Sequence, residues 1–184
     1  MDRSNQDLKY IFEEGRKCQN DIIYFIQTYI VDFKLDEHQF EYLKNIANGK
    51  DSATDESIAN IQYLNLAFAL WKMLVNPCTS IVVVSKDNSL SQKFGEMIDR
   101  LSLFEIKLLK NLKNEISLSN NSSILFGDYS KYECQLCGRS FSILILDNFS
   151  SCENINEFLQ CVVPIVRAAK NNQIIGLLNN NFGV

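Results

Sequence analysis

One histidine, two prolines and seven glycines in 184 residues leave this chain poor in the residues that catalyse and punctuate. With His38 as the only imidazole, spacing supports no Ser–His or Cys–His nucleophilic pair. No run of eighteen apolar residues occurs, which excludes a membrane-spanning helix. The N-terminus, MDRSNQDLKY, lacks the apolar core of a signal peptide, so a cytoplasmic setting is expected. A basic surplus is missing too: the net charge is −4. Gripping duplex nucleic acid alone takes cations to neutralise phosphates, so strong autonomous nucleic-acid binding is not expected. Six cysteines, at 18, 78, 134, 137, 152 and 161, should be mostly reduced thiols in that compartment.

What is present suits a globular α/β domain. Apolar residues make up 46% and charged residues 22%, enough to bury a core without staples. Cys18–Ile30 has helical spacing, and a second helix is predicted from about Asp36 to Ala47 with Phe40, Leu43 and Ile46 on one face. Residues 47–57, ANGKDSATDES, read as a loop whose Asp55 or Ser57 could cap the next helix. That helix, IANIQYLNLAFALWKMLV (58–75), is too densely apolar for the surface and should be buried. Asn76-Pro77 ends it. Ile81–Val84 reads as a buried strand, 88–103 as a helix, and 114–128 as a hairpin around Asn120-Asn121. Residues 141–147 form another buried strand, 154–169 a helix and 173–178 a last strand. Alternating strands and helices predict a mainly parallel sheet with helices on both faces.

The order of these pieces resembles the N-terminal ATPase domain of tailed-phage terminase large subunits, motors that drive viral DNA into capsids. Four stretches carry the resemblance: KCQNDIIYFIQTYI (17–30), FKLDEHQFEYL (33–43), SIVVVSKDNSLSQKFGEMIDRL (80–101), and NEISLSNNSSILFGD through FSILILDN (114–148). The resemblance implies a P-loop-NTPase-like fold over residues 17–184 behind a lead-in at 1–16. Terminases also carry a C-terminal nuclease domain; this chain ends before one could begin, so cutting DNA by that chemistry is not expected. In the family, Gln39 would sit at the end of the adenine-recognition segment and Asp147 would help hold Mg²⁺ through water. A surface glutamine on an amphipathic helix and a strand-end aspartate serving a turn or a helix cap remain the alternatives for these two.

Several parts of the family's chemistry are missing. A phosphate-binding loop needs glycines that let backbone N–H groups cradle phosphates, a lysine, and a Ser/Thr for Mg²⁺. The residues ahead of the long helix are ATDESIAN, with Asp55 and Glu56 where triphosphate charge would go. Gly49-Lys50-Asp51-Ser52 has the wrong spacing and no preceding strand, and it reads as a turn. Between Gln39 and Ile58 no apolar extended run supplies the strand that feeds such a loop. The family places a glutamate base after the strand-end aspartate; here Asn148 stands in that place and cannot take a proton at neutral pH. Loss of a positioned base removes roughly 10²–10⁴-fold in rate. The hydroxyl-rich coupling segment is replaced by LLNNNFG, 177–183.

Cys134-x-x-Cys137 offers half of a zinc site, which wants four ligands. Arg16-Lys17 and Lys107–Lys113 are small basic clusters, read as solvated faces with a DNA-proximal patch as the alternative. The expected function is a catalytically degenerate terminase-like domain, a pseudo-ATPase without a required cofactor, acting through protein partners in viral DNA packaging from the host cytoplasm. The alternatives are a divergent packaging ATPase that binds ATP and Mg²⁺ weakly and borrows catalytic groups from partner subunits, and a small zinc module built on Cys134 and Cys137.

Overall fold

The computed structural model describes residues 3–52, 58–87, 89–101, 104, 106–131, 136, 138–148 and 155–176. Its strands are β1 (Ser80–Val84), β2 (Leu108–Leu112), β3 (Glu115–Leu118), β4 (Ser123–Gly127), β5 (Ile143–Leu146) and β6 (Gln173–Ile175). They form one sheet in the order β2-β3-β4-β1-β5-β6. The pairings β4–β1, β1–β5 and β5–β6 are parallel. The pairings β2–β3 and β3–β4 are antiparallel, so the sheet is mixed, with an antiparallel ribbon on one side.

Successive side chains of a strand face opposite sides, and β1 and β5 are apolar on both. Ile81, Val83, Ile143 and Ile145 face one layer of helices. That layer contains α2 (Ile22–Phe25), α3 (Glu37–Ala47), α4 (Ile61–Val75) and α5 (Leu90–Arg100). Val82, Val84, Leu144 and Leu146 face the other side, where α6 (Ile155–Arg167) lays down Phe158, Leu159, Val162 and Val166. The result is the helix–sheet–helix sandwich expected from the alternation of elements. Among the described residues no helix is long and apolar enough to cross a membrane.

The predicted elements are recovered with instructive shifts. The run Cys18–Ile30 is not one helix. Helix α1 (Arg3–Asn20) passes through the position dividing lead-in from domain and stops before Asp21. The Asp21 carboxylate accepts from the N–H groups of Ile23 and Tyr24 and caps α2, which continues into a π-helical turn, Ile26–Ile30. On α3 the buried face is Gln39, Tyr42, Leu43 and Ile46, while Phe40 is 37% exposed. The reason is polar. Gln39 bonds to the Ala59 carbonyl and Tyr42 to the Asn65 side chain, and the register follows these inward partners. Helix α4 starts at Ile61, three residues later than expected, because Asn60 takes a left-handed conformation (φ 58°) that asparagine tolerates. No side chain caps it there; Asp55 and Ser57 lie outside the described residues. Strand β2 departs from the sequence expectation, since KLLKNLK reads as a charged surface.

Helix α1 is fastened by one acid. Glu14, with a side chain only 5% exposed, accepts from Lys17 Nζ at 2.6 Å, Tyr24 Oη at 2.6 Å and Tyr29 Oη at 3.0 Å. The Lys17 ammonium first, then the Tyr24 hydroxyl, hold its carboxyl down at about 2 against the ordinary 4.5, with burial opposing them. A depressed folded-state value means the acid stabilises the fold above about 4.5, and that stability is lost as pH falls toward about 2. Urea unfolding of the Glu14→Gln chain should therefore show a midpoint below that of the wild type at pH 7. The gap should narrow steadily between pH 4.5 and pH 2. A constant gap across that range would mean the carboxylate charge is not what fastens α1.

Candidate functional site

After β1 the chain runs to the far edge and comes back through β2 and β3 to β4 on one side of β1, then passes to β5 on the other. In open α/β sheets such a reversal leaves a crevice at the carboxyl ends of the strands, where ligands bind. Two side chains emerge there side by side, because Val84 and Leu146 are register partners. Ser85 comes directly after β1 and Asp147 directly after β5; they are 5% and 7% exposed. Ser85 Oγ donates to Asp147 Oδ2 at 2.6 Å. Tyr129 Oη donates to the Asp147 carbonyl at 2.9 Å and fixes its backbone.

The first turn of α4 brings in Gln62, whose Nε2 donates to the same Asp147 Oδ2 at 2.8 Å. Its Oε1 accepts from Lys93 Nζ on α5 at 2.9 Å. Lys93 also pairs with Asp87 Oδ2 at 3.0 Å, and the Asp87 N–H donates to Ser85 Oγ at 2.9 Å. The five residues close a ring: Ser85, Asp147, Gln62, Lys93, Asp87. Hydrogen bonds from the Ser89 side chain and N–H, together with Lys93, hold the Asp87 carboxyl at about 2, so it stays ionised. One ammonium thus serves two carboxylates, directly for Asp87 and through an amide for Asp147. Sequence reasoning finds Asp147 and misses the other four. Of these only Ser85 and Asp87 leave a signal, the polar run Ser85-Lys86-Asp87 directly after a buried strand.

Asn148 is adjacent, exposed and left-handed (φ 48°). Gln39 is not on the surface; it is 3% exposed. Its Oε1 accepts from the Asp36 N–H at 3.0 Å while Asp36 Oδ1 accepts from the Gln39 N–H at 2.8 Å, a reciprocal cap at the start of α3. Its Nε2 donates to the Ala59 carbonyl at 2.7 Å, just before α4. Both ends of this carboxamide are engaged within the chain.

The turn at Gly49 (φ 77°) leads into a segment sewn along β6. Gln173 Nε2 donates to the carbonyls of Ile46 and Lys50, at 2.8 and 2.7 Å. Asp51 accepts from the Ile174 N–H at 2.8 Å and pairs with Arg167. Ser52 then forms a single parallel bridge with Ile175. Among the described residues between Gln39 and Ile58, this bridge is the only β-pairing. Lys50 is level with Gln173, whose register partner is Ile143. Asp147 lies four residues beyond Ile143, about 13 Å along the strand at roughly 3.3 Å per residue. The ring and Lys50 therefore sit toward opposite ends of the sheet.

Residues 53–57, where phosphate contacts are expected, lie outside the described residues, as do Cys134, Cys137, Cys152 and 177–183. Among the described residues no group of three His, Cys, Asp or Glu could hold a metal ion. Cys18 is buried, which pushes its thiol up to about 11 and leaves it unreactive at neutral pH. Trp71 donates its Nε1–H to the Cys18 carbonyl at 2.8 Å and belongs to the core.

No protein-family model matches the chain. Solved structures do. The large terminase of bacteriophage HK97 superposes with a TM-score of 0.64 at 16% identity, over 85% of this chain and 36% of that one. The fold is that of a phage large-terminase ATPase domain. The ATPase domain of the large terminase of Thermus phage P74-26 agrees with a TM-score of 0.51 at 13% identity, over 78% of this chain and 64% of that one. The chain thus spans about a third of the HK97 protein's length and just under two thirds of the Thermus phage domain. In this fold Asp147 stands at the end of β5 beside the first turn of α4.

Proposed function

We propose that this chain is a terminase-fold domain that has lost ATP hydrolysis and serves viral DNA packaging as a regulatory or structural protein. One observation supports this reading above the others. The Asp147 carboxylate, the candidate for helping to hold Mg²⁺, already accepts two hydrogen bonds from within the chain. Magnesium takes oxygen ligands in near-octahedral geometry and keeps several waters. Here Asp147 Oδ2 is met by a hydroxyl and an amide N–H, and the nearby ammonium, Lys93, is spent on Gln62 and Asp87. As arranged, Oδ2 is committed to the chain's own donors instead of to an ion or its waters. Gln39 tells a similar story, since its buried carboxamide caps α3 and holds the approach to α4 instead of standing free for adenine. At the neighbouring position Asn148 offers no proton acceptor at neutral pH.

The test is direct. A thermal shift with Mg-ATP, run beside phosphate release, is expected to show neither a magnesium-dependent stabilisation nor turnover. Ligand at 100 times its dissociation constant would add about 2.7 kcal/mol, so binding could not be missed. Sustained phosphate release by the purified chain would overturn the proposal. Release that appears only after a partner subunit is added would favour the divergent-ATPase reading.

A further inference from the structure

Strand β2 closes one side of the sheet and has no neighbour on its outer edge among the described residues. All five of its residues are exposed, with Leu108, Leu109 and Leu112 at 39%, 67% and 56%. Natural sheets usually blunt or cover such an edge, because its unpaired N–H and C=O groups recruit another strand. The flanking charge is one-sided. Lys107, Lys110 and Lys113 lie along the strand, and Arg139 joins Lys110 on the single carboxylate of Glu115. This is a basic island on a chain whose net charge is −4. One end of the edge also opens into a cleft of about 380 Å³, walled by Phe25, Trp71, Leu74, Phe104 and Ile106, with Lys107 at its rim.

We propose that β2 is a docking edge for an extended acidic segment of a partner protein, which adds as a further strand and seats an apolar side chain in the cleft. Backbone pairing would supply affinity and the pockets and charges specificity, as in strand addition generally. Each feature answers one part of that segment: the open ladder its backbone, the lysines its carboxylates, the cleft its anchor. A second copy of this chain fits less well, since antiparallel self-pairing would set lysines opposite lysines. A nucleic acid fits less well too, since three exposed leucines offer phosphate nothing. The proposal rests on the reading of the chain as an interaction domain, but not on the fate of its nucleotide site, which Mg-ATP tests separately.

In the two-residue turn between β2 and β3 the flanking pair Leu112–Glu115 exchanges hydrogen bonds, so the next residue, Asn111, turns its N–H outward. The probe is a fluorescent ten-residue peptide alternating Glu with Val and ending in Phe, added to the full chain. Saturable binding is expected, with amide-exchange protection over residues 107–113. Replacing its Glu by Lys, or introducing Asn111→Pro or the pair Lys107→Glu and Lys113→Glu, should each weaken binding by about tenfold. Because these sites are exposed, retained thermal stability will show that the variants fold. Absence of binding, or binding that the variants leave unchanged or that protects another surface, would overturn the proposal. So would a single-stranded DNA oligonucleotide displacing the peptide, or a dimer in the untreated chain that Asn111→Pro dissolves.

Discussion

Asp147→Ala should lower the stability of this chain by about 2–4 kcal/mol, whatever it does to nucleotide. The substitution removes the acceptor of two hydrogen bonds, from Ser85 and Gln62. Leaving a buried donor unsatisfied costs about 1–3 kcal/mol, more for Ser85, which is 5% exposed, than for half-buried Gln62. At this chain length each kcal/mol moves the midpoint by about 2–4 °C, so a fall of roughly 4–16 °C is expected. Asp147→Asn keeps one acceptor oxygen and should fall about half as far. The sign is decisive. A carboxylate poised for a metal would stand near Asp87 without full compensation, and its removal would relieve repulsion and leave the midpoint unchanged or higher. A thermal melt of the three chains without magnesium distinguishes a carboxylate held by the chain's own donors from a waiting one.

How much of the fold and site is legible in the sequence depends on how local each cause is. Helix α4 and strands β1 and β5 are read from apolar density alone, because burial on every side leaves no other solution. The hairpin is read from Asn120-Asn121, and Asn121 does take the left-handed conformation, φ 65°, that the turn requires. Strand β2 escapes such reading, because its residues stay exposed and backbone pairing to β3 is what makes it a strand. The burial of Gln39 does have a local signal: Asp36-x-x-Gln39 is the spacing of a reciprocal cap, which turns a glutamine inward. The ring around Asp147 has no comparable signal. Its contacts join residues 31, 62 and 85 positions apart, and only the fold brings Gln62 and Lys93 to a strand end.

Phe94→Ala is expected to cost about 3–5 kcal/mol, a large share of the about 5–15 kcal/mol typical of a domain. Phe94 is fully buried on α5, its ring 5.8 Å from that of Phe126 on β4 at 63°, an edge-to-face contact that adds to the area lost. The adjacent residue is Lys93, so the aromatic ring that fastens α5 to the sheet also sets the ammonium over Gln62. Loosening α5 should therefore weaken the polar ring, and the losses from Phe94→Ala and Asp147→Ala should fail to add. Coupled residues typically show interaction energies of about 0.5–3 kcal/mol, against about 0.3–0.5 kcal/mol for independent sites. Urea unfolding of both single variants and the double variant measures that difference. Simple additivity would mean that Lys93 keeps its place without help from the core, and that the hydrogen bonding at Asp147 does not depend on how α5 is seated.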